Sequence, residues 1–495
     1  MRAITHEDQI GLLRDLAGMG SQGRAEGESE ERFPRTFYPV PEHARAFDPE
    51  LVLVIGPRGS GKTELVRAVI GLGLLPAIAR YASGVRLPPV EPARTSWVFG
   101  YPIGAGFPDA RSLQNFIAQR GKKPDVALEL WFTYLVRVLY GRFDDEGRSA
   151  LQRLMSVQGG NALASHDAFR GTGDSAVLAL DRLDELLKKT DARIFIGYDE
   201  LDTLGGTDWD IMSVGIKGLV AFWAGYARRW RRIRAKIFLR TDLFQRHATS
   251  GGADLAKLAA NRAELAWSDK NLYGMLVKRI ANASDSLREY CEKSRIQFEW
   301  DRDLGSIPVM SKAAHAKPLI DRMVGPYMGA NFKKGLVFRW LLDHIRDGRG
   351  NALPRPLVRL IEEAARYELE WGARARPPRL LSPMAIRAAL DVVSREHVTQ
   401  ALDEWPWLLG VRERLRGHQV PWDRPQQVEK LLMTNWEKSW GEQPNLAPPA
   451  DDASELIEYL VEIGAFRARS DGRIDVPDLF LAGLGLKRKG GVRKK

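Results

Sequence analysis

Leu51-Val52-Leu53-Val54-Ile55 runs directly into Gly56-Pro57-Arg58-Gly59-Ser60-Gly61-Lys62-Thr63. Five consecutive apolar residues form the pattern of a strand buried on both faces, as in a parallel sheet. The segment that follows can turn tightly. Gly56, Gly59 and Gly61 lack a Cβ, so the backbone can fold close and point successive N–H groups inward as an anion nest. A helix is predicted from about Lys62, and its N-terminus adds partial positive charge. The pattern from Gly56 through Glu64 therefore predicts a triphosphate cradle. Lys62 would reach the β- and γ-phosphates, and the Thr63 hydroxyl would ligate Mg2+.

A second apolar run, Ile194-Phe195-Ile196-Gly197-Tyr198, ends in Asp199-Glu200. We expect a buried strand beside the first, with its acids aimed at the metal. Asp199 would hold Mg2+ through water, and Glu200 would orient and deprotonate an attacking water. Asp202 is expected to cap the helix that follows.

Working outward, further strands are predicted at Ser96–Phe99, Arg193–Tyr198, Lys236–Arg240 and Ala263–Trp267. Helical periodicity lies between them at Ala127–Tyr140, Ser175–Lys189 and Ile211–Arg232. Strands alternating with helices imply an α/β fold: a parallel sheet covered on both faces. After Ser268 the pattern turns almost wholly helical, at Asn271–Ala281, Leu336–Ile345, Pro354–Tyr367 and Met384–Trp440. The amphipathic run Glu455–Phe466 precedes an alternating stretch around Asp471-Gly472, a hairpin signal, so a winged helix is expected at this end. The reading divides the chain into a helix with a flexible, Gly-rich linker (1–34), an α/β core (35–268), a helical lid (269–380) and a helical and winged-helix region (381–495). The Pro- and Arg-rich stretch Gly372–Pro383 looks like a joint.

A chain of 495 residues exceeds one ordinary core, which favours about two to four domains. The single cysteine, Cys291, excludes an internal disulfide framework and a thiolate zinc cluster and fits a reducing cytoplasm. The most apolar segment, Gly218–Ala227, is too short to span a membrane and meets Arg228-Arg229. The eight histidines show no metal spacing. Net charge is +11, an excess that steers polyanions as well as decorating ordinary solvated faces. Arg228-Arg229-Trp230-Arg231-Arg232-Ile233-Arg234 either grips a nucleic-acid backbone or is the solvated end of a helix. Lys487-Arg488-Lys489 and Arg493-Lys494-Lys495 form a basic tail beside the expected wing. Trp405, Trp407, Trp436 and Trp440 fall in helical surroundings and read as packing or partner contacts.

With these motifs in place, Tyr38–Tyr367 resembles the AAA+ and STAND branches of P-loop ATPases, including origin-recognition-like members. The resemblance implies an ATP- and Mg2+-dependent ATPase with a parallel sheet core and helical lid. It implies a γ-phosphate sensor after Lys236–Arg240, at Thr241 or Asp242, and an arginine reaching a neighbouring subunit's site, best matched by Arg262 and next by Arg246. It also implies a second sensor arginine at a lid-helix start, where Leu353-Pro354-Arg355-Pro356-Leu357 places Arg355. The expected behaviour is a switch in a homo-oligomer whose nucleotide state controls assembly with a separate effector protein in signalling or defence. Alternatives are a DNA-transaction ATPase using the winged helix and basic tail, and a non-hydrolysing subunit cemented by ATP.

Overall fold

The computed structural model describes residues 4–20, 28–102, 107–157, 160–204, 209–226, 228–244, 258, 260–372, 374–434, 447–448, 450 and 451–489. Arg246, Trp436, Trp440 and Arg493–Lys495 lie outside the described residues. Two compact units divide the chain, one formed by Pro39–Ala266 and the other by Met1–Tyr38 with Trp267–Lys495.

In the unit Pro39–Ala266, five parallel strands form one sheet: β1 (Leu53–Gly56), β2 (Thr95–Phe99), β3 (Arg193–Tyr198), β4 (Ile233–Arg240) and β5 (Arg262–Glu264). Their order is β2-β3-β4-β1-β5, with every pairing parallel. Parallel pairing demands crossover segments, and these supply the helices that bury the sheet. On one face, helices Pro124–Leu139 and Trp209–Tyr226 carry Trp131, Tyr134, Phe222 and Trp223 into a core with Ile194, Ile196 and Tyr198 of β3. On β3 the alternate residue Phe195 instead stacks on Trp97 of β2, at 4.5 Å between ring centroids. Phe47, in the 3-10 segment Pro41–Phe47, meets Trp97 edge-on.

The acid-bearing strand is not beside β1, as the sequence suggested. β4 intervenes, pairing Ile237–Arg240 with Leu53–Gly56 on one side and Ile233–Ile237 with Ile194–Tyr198 on the other. Chain order does not dictate sheet order when crossovers are long. β4 also begins three residues earlier than predicted, because Arg234 and Lys236 are interior groups. Lys236 is fully buried and donates to the carbonyl oxygens of Asp48 and Leu51. Arg234 pairs with Glu50.

The basic segment before β4 offers no ring for base stacking. Trp230 is fully buried, lies 4.5 Å from the Tyr226 ring and donates to Asp181. Arg229 forks onto the same carboxylate, and the backbone of Arg231 and Arg232 donates to Asp184. Anchoring the start of β4 explains this stretch. Asp202 does not cap a helix either; it pairs with Arg240 at 3.4 Å.

The second unit is helical. Helix His6–Ala17, closed by a Thr5–Asp8 capping box, lies along Pro354–Glu370, which packs in turn against Pro383–Glu404. The stretch Gly372–Ser382 thus joins two helices that share a core. Of the expected flexible linker, Glu28 and Phe33 are buried: the Glu28 carboxylate lies against Arg279 and accepts from Thr36. An unpredicted antiparallel hairpin, β6 (Phe298–Asp301) and β7 (Gly305–Pro308), interrupts the helices.

The winged helix forms from helix Leu408–Leu415, strand β8 (Gln419–Val420), helices Pro425–Met433 and Ala453–Glu462, and the hairpin of β9 (Arg467–Ala468) with β10 (Ile474–Asp475). Trp422 bridges Ile474, and Gly472 turns the wing with φ of +81°. Part of the basic tail is also strand: β11 (Lys487–Arg488) pairs in parallel with β8. The architecture is an α/β P-loop core with a helical unit that carries a C-terminal winged helix.

Candidate functional site

Parallel strands put their C-terminal ends, and the loops that follow, on one edge of the sheet, where ligands of α/β folds bind. At that edge β1 ends in the glycine loop. Gly59 and Gly61 adopt φ of +80° and +93°, in the left-handed region, and Gly61 stands immediately before helix Lys62–Val66. A Cβ on Gly56 would meet Ser60 Oγ at 2.4 Å. The helix continues as a π turn over Arg67–Gly71, and Ile70 packs where a Cβ on Gly197 of β3 would lie, 2.0 Å from it. The glycine in β3 therefore lets the cradle helix sit directly on that strand.

Lys62 Nζ donates to the carbonyl oxygens of Gly56 and Pro57, at 2.8 and 3.0 Å. The ammonium is thus held over the mouth of the loop. Thr63, at the start of the cradle helix, acts on the Asp199 carboxyl that follows β3. Burial pushes the Asp199 carboxyl up from its ordinary range, while Thr63, the Glu200 N–H and the Lys62 charge pull it down. An acid that burial disfavours, tied to a helix-start hydroxyl and a lysine, has the donor chemistry that fits a magnesium–phosphate group. The glycine backbone fits it as well, since side chains do not block the approach of N–H groups.

Glu200 follows at φ +56°, a left-handed conformation uncommon outside glycine and enriched at functional sites. Its carbonyl accepts from the Thr203 N–H and hydroxyl, at 3.0 and 2.7 Å, which pins the turn after Asp199. Tyr101 lies beyond β2: burial raises its pKa, Thr203 opposes the shift and the Glu200 charge adds to it. The sequence reading did not single out Tyr101. Its signal was position, two residues beyond a strand that neighbours β3.

At the end of β4, Arg240 is 8% exposed and forks onto Asp242, at 2.7 Å, while also reaching Asp202. Of the two sensor candidates, Asp242 is therefore engaged by a guanidinium from its own strand, and Thr241 begins the helical turn Thr241–Leu243. Arg58 is exposed on the loop, and Glu64 lies in the first helical turn.

One predicted residue of this unit does not join this cluster. Arg262 is level with Leu53, at the opposite end of β1 from the glycine loop. It pairs with Glu264 and stands 5.3 Å from the Phe244 ring. Arg355 belongs to the helical unit, where Nη1 donates to Gln400.

The described surface of the winged helix carries both signs of charge. The exposed side of helix Ala453–Glu462 carries Glu455, Glu458 and Glu462. In the wing, Arg469 pairs with Asp475 and Arg473 with Asp471. In the tail, Arg488 is taken up by Asp475 and Asp478. Among the described residues no group of three or more His, Cys, Asp or Glu could hold a metal, and no helix is long and apolar enough to cross a membrane.

No known protein-family profile and no curated protein sequence matches the chain. Among solved structures it is similar to Cdc6p from Pyrobaculum aerophilum, at 12% identity and a TM-score of 0.28 over 86% of this chain and 83% of that one. It is also similar to the Aeropyrum pernix ORC2 protein in its ADPNP–ADP complexes, at 13% identity and a TM-score of 0.28 over 89% and 90%. Superposition this loose leaves the fold assignment to the strand order and loop geometry described above.

Proposed function

We propose that the chain is an ATP-binding and ATP-hydrolysing switch. The observation that carries this reading is the meeting of Thr63 and Asp199 at the sheet edge, beside a loop with Lys62 over its mouth. In this reading the N–H groups of Gly56–Thr63 bind the phosphates, and Lys62 exchanges its loop carbonyl partners for phosphate oxygens. Thr63 and Asp199 hold Mg2+, which neutralises the phosphate oxygens when bound. Glu200 takes the proton of the attacking water, and its fixed backbone turn sets the direction of the carboxylate. Thr241 would sense the γ-phosphate in preference to Asp242, which Arg240 already holds.

Nucleotide state then governs assembly with further copies and with a separate effector protein. The acid-faced helix of the winged domain supports a protein partner over duplex DNA at that surface.

Phosphate release under saturating ATP tests this. Glu200→Gln should bind ATP with affinity close to the parent and lose about 10²–10⁴ in hydrolysis. Normal hydrolysis by this variant removes Glu200 as the base. Absence of release from the parent, with ATP retained, identifies a structural nucleotide site instead.

A further inference from the structure

Trp371 and the stretch Arg374–Arg379 form a basic and aromatic surface. From Trp371 to Ser382 the sequence holds Arg374, Arg376 and Arg379 and no acid. All three arginines are exposed, and Trp371 is 52% exposed. Among the described residues none of the three guanidinium groups has an ion-pair partner. Elsewhere in the same unit Arg346, Arg359, Arg469 and Arg488 each meet a carboxylate. Arg374 stands 5.2 Å from the Trp371 ring, and the Tyr367 ring lies 5.9 Å away.

Buried groups hold this loop from beneath. Gln9, fully buried, donates its amide to the carbonyl oxygens of Ala375 and Arg379, both at 2.7 Å. Glu368, also fully buried, accepts from the N–H groups of Ala375 and Ser382. Tyr290 donates to the Pro378 carbonyl at 2.7 Å, and Leu380 and Leu381 donate to the Met323 carbonyl. A backbone fixed in this way leaves only the arginine side chains to be ordered on binding.

We propose that this loop is a contact site for single-stranded nucleic acid, with Arg374, Arg376 and Arg379 on backbone phosphates and Trp371 against a base. Guanidinium groups match phosphate oxygens bidentately, and an exposed indole stacks on any base face. The chain's charge of +11 favours the encounter. Helix Ala453–Glu462 of the winged helix presents glutamates, whereas the stretch between Glu370 and Leu380 presents arginines and no acid. The proposal does not depend on nucleotide hydrolysis.

The test is fluorescence anisotropy of the full chain with a labelled oligothymidine of about 20 nucleotides, and with a duplex of equal length, across a salt series. The parent should bind the single strand with a negative log–log salt slope. Replacing all three arginines with glutamine should weaken binding by more than about tenfold and flatten the slope by about two, near 0.7 per lost phosphate contact. Replacing them with lysine should keep most of the slope, which separates charge from misfolding. Trp371→Ala should weaken single-strand binding about fivefold or more at unchanged slope. Three results would overturn the proposal: no binding at about 50 mM salt, a glutamine variant that binds like the parent, or preference for the duplex with indifference to Trp371.

Discussion

Thr63 lowers the pKa of the Asp199 carboxyl although Thr63 follows β1 and Asp199 follows β3, with β4 between the two strands. The two come together at the sheet edge because the π turn that continues the cradle helix rests Ile70 on Gly197 of β3. The arrangement gives Asp199 a distinctive balance, in which burial raises its pKa while a hydroxyl, a backbone N–H and Lys62 oppose the shift.

That balance predicts the behaviour of Asp199→Asn. A carboxyl raised in the folded state keeps its proton over a window in which the unfolded chain has lost it. Stability is therefore surrendered as pH rises through the folded pKa. At neutral pH the parent carries this cost, and the asparagine variant does not. Without nucleotide, Asp199→Asn should be at least as stable as the parent at pH 7, and the difference should vanish below about pH 4, where both chain states are protonated. Magnesium-dependent nucleotide affinity should fall about 10–100-fold. Thermal unfolding with and without Mg-ATP measures both; a variant equally protected by Mg-ATP would remove Asp199 from the metal site.

Lys62→Ala should cost at least about tenfold in ATP affinity, near 1.4 kcal/mol, by calorimetry. It should not unfold the unit, because Gly56 and Pro57 accept from Lys62 at a partly exposed edge that water can reach. Unchanged affinity would leave the glycine loop without a ligand.

The strands were legible where burial is purely apolar. β1 and β3 announce themselves as apolar runs, and the glycine loop and the acid pair are short motifs with fixed chemistry. The start of β4 was not legible because Arg234 and Lys236 resemble solvent-facing residues; only tertiary partners at Asp48, Glu50 and Leu51 make them interior. The β6–β7 hairpin was hidden by its charged turn, Asp301–Asp303, within a helical context. Tyr101 and Arg240 entered the site through sheet order, which no local pattern encodes. The acids of the winged-helix face were visible as letters, but their exposure was not.

Arg262 had only spacing to recommend it, and its pairing with Glu264 at the far end of β5 leads to a specific expectation. Arg262→Ala should leave hydrolysis within about threefold of the parent and cost no more than about 1 kcal/mol, the ceiling for an exposed pair. A loss of about 10³ in rate, partly restored by mixing with Lys62→Ala chains, would show instead that a neighbouring copy's site uses this arginine.

Buried lysines give the chain a pH signature of its own. Burial lowers Lys236 and Lys278 each to about 7 from an ordinary value of 10.5. Both ammonium groups nevertheless serve backbone carbonyls, Lys236 those of Asp48 and Leu51, Lys278 those of Arg35 and Leu304. Between about pH 7 and 10 the unfolded chain holds protons that the folded chain has released, so stability rises with pH across that window. The limit is about 1.4 kcal/mol per pH unit for each lysine. Below pH 7 both chain states are protonated and the slope disappears. Lys236→Met keeps the volume, flattens the slope for the unit Pro39–Ala266, and loses about 1–3 kcal/mol at pH 9 from two carbonyls left without a donor. Urea unfolding at pH 6.5 and 9, followed in the parent and in Lys236→Met and Lys278→Met, measures each contribution. If the parent is equally stable at both pH values, the two lysines keep their protons in the fold, and their carbonyl partners rather than burial set their charge.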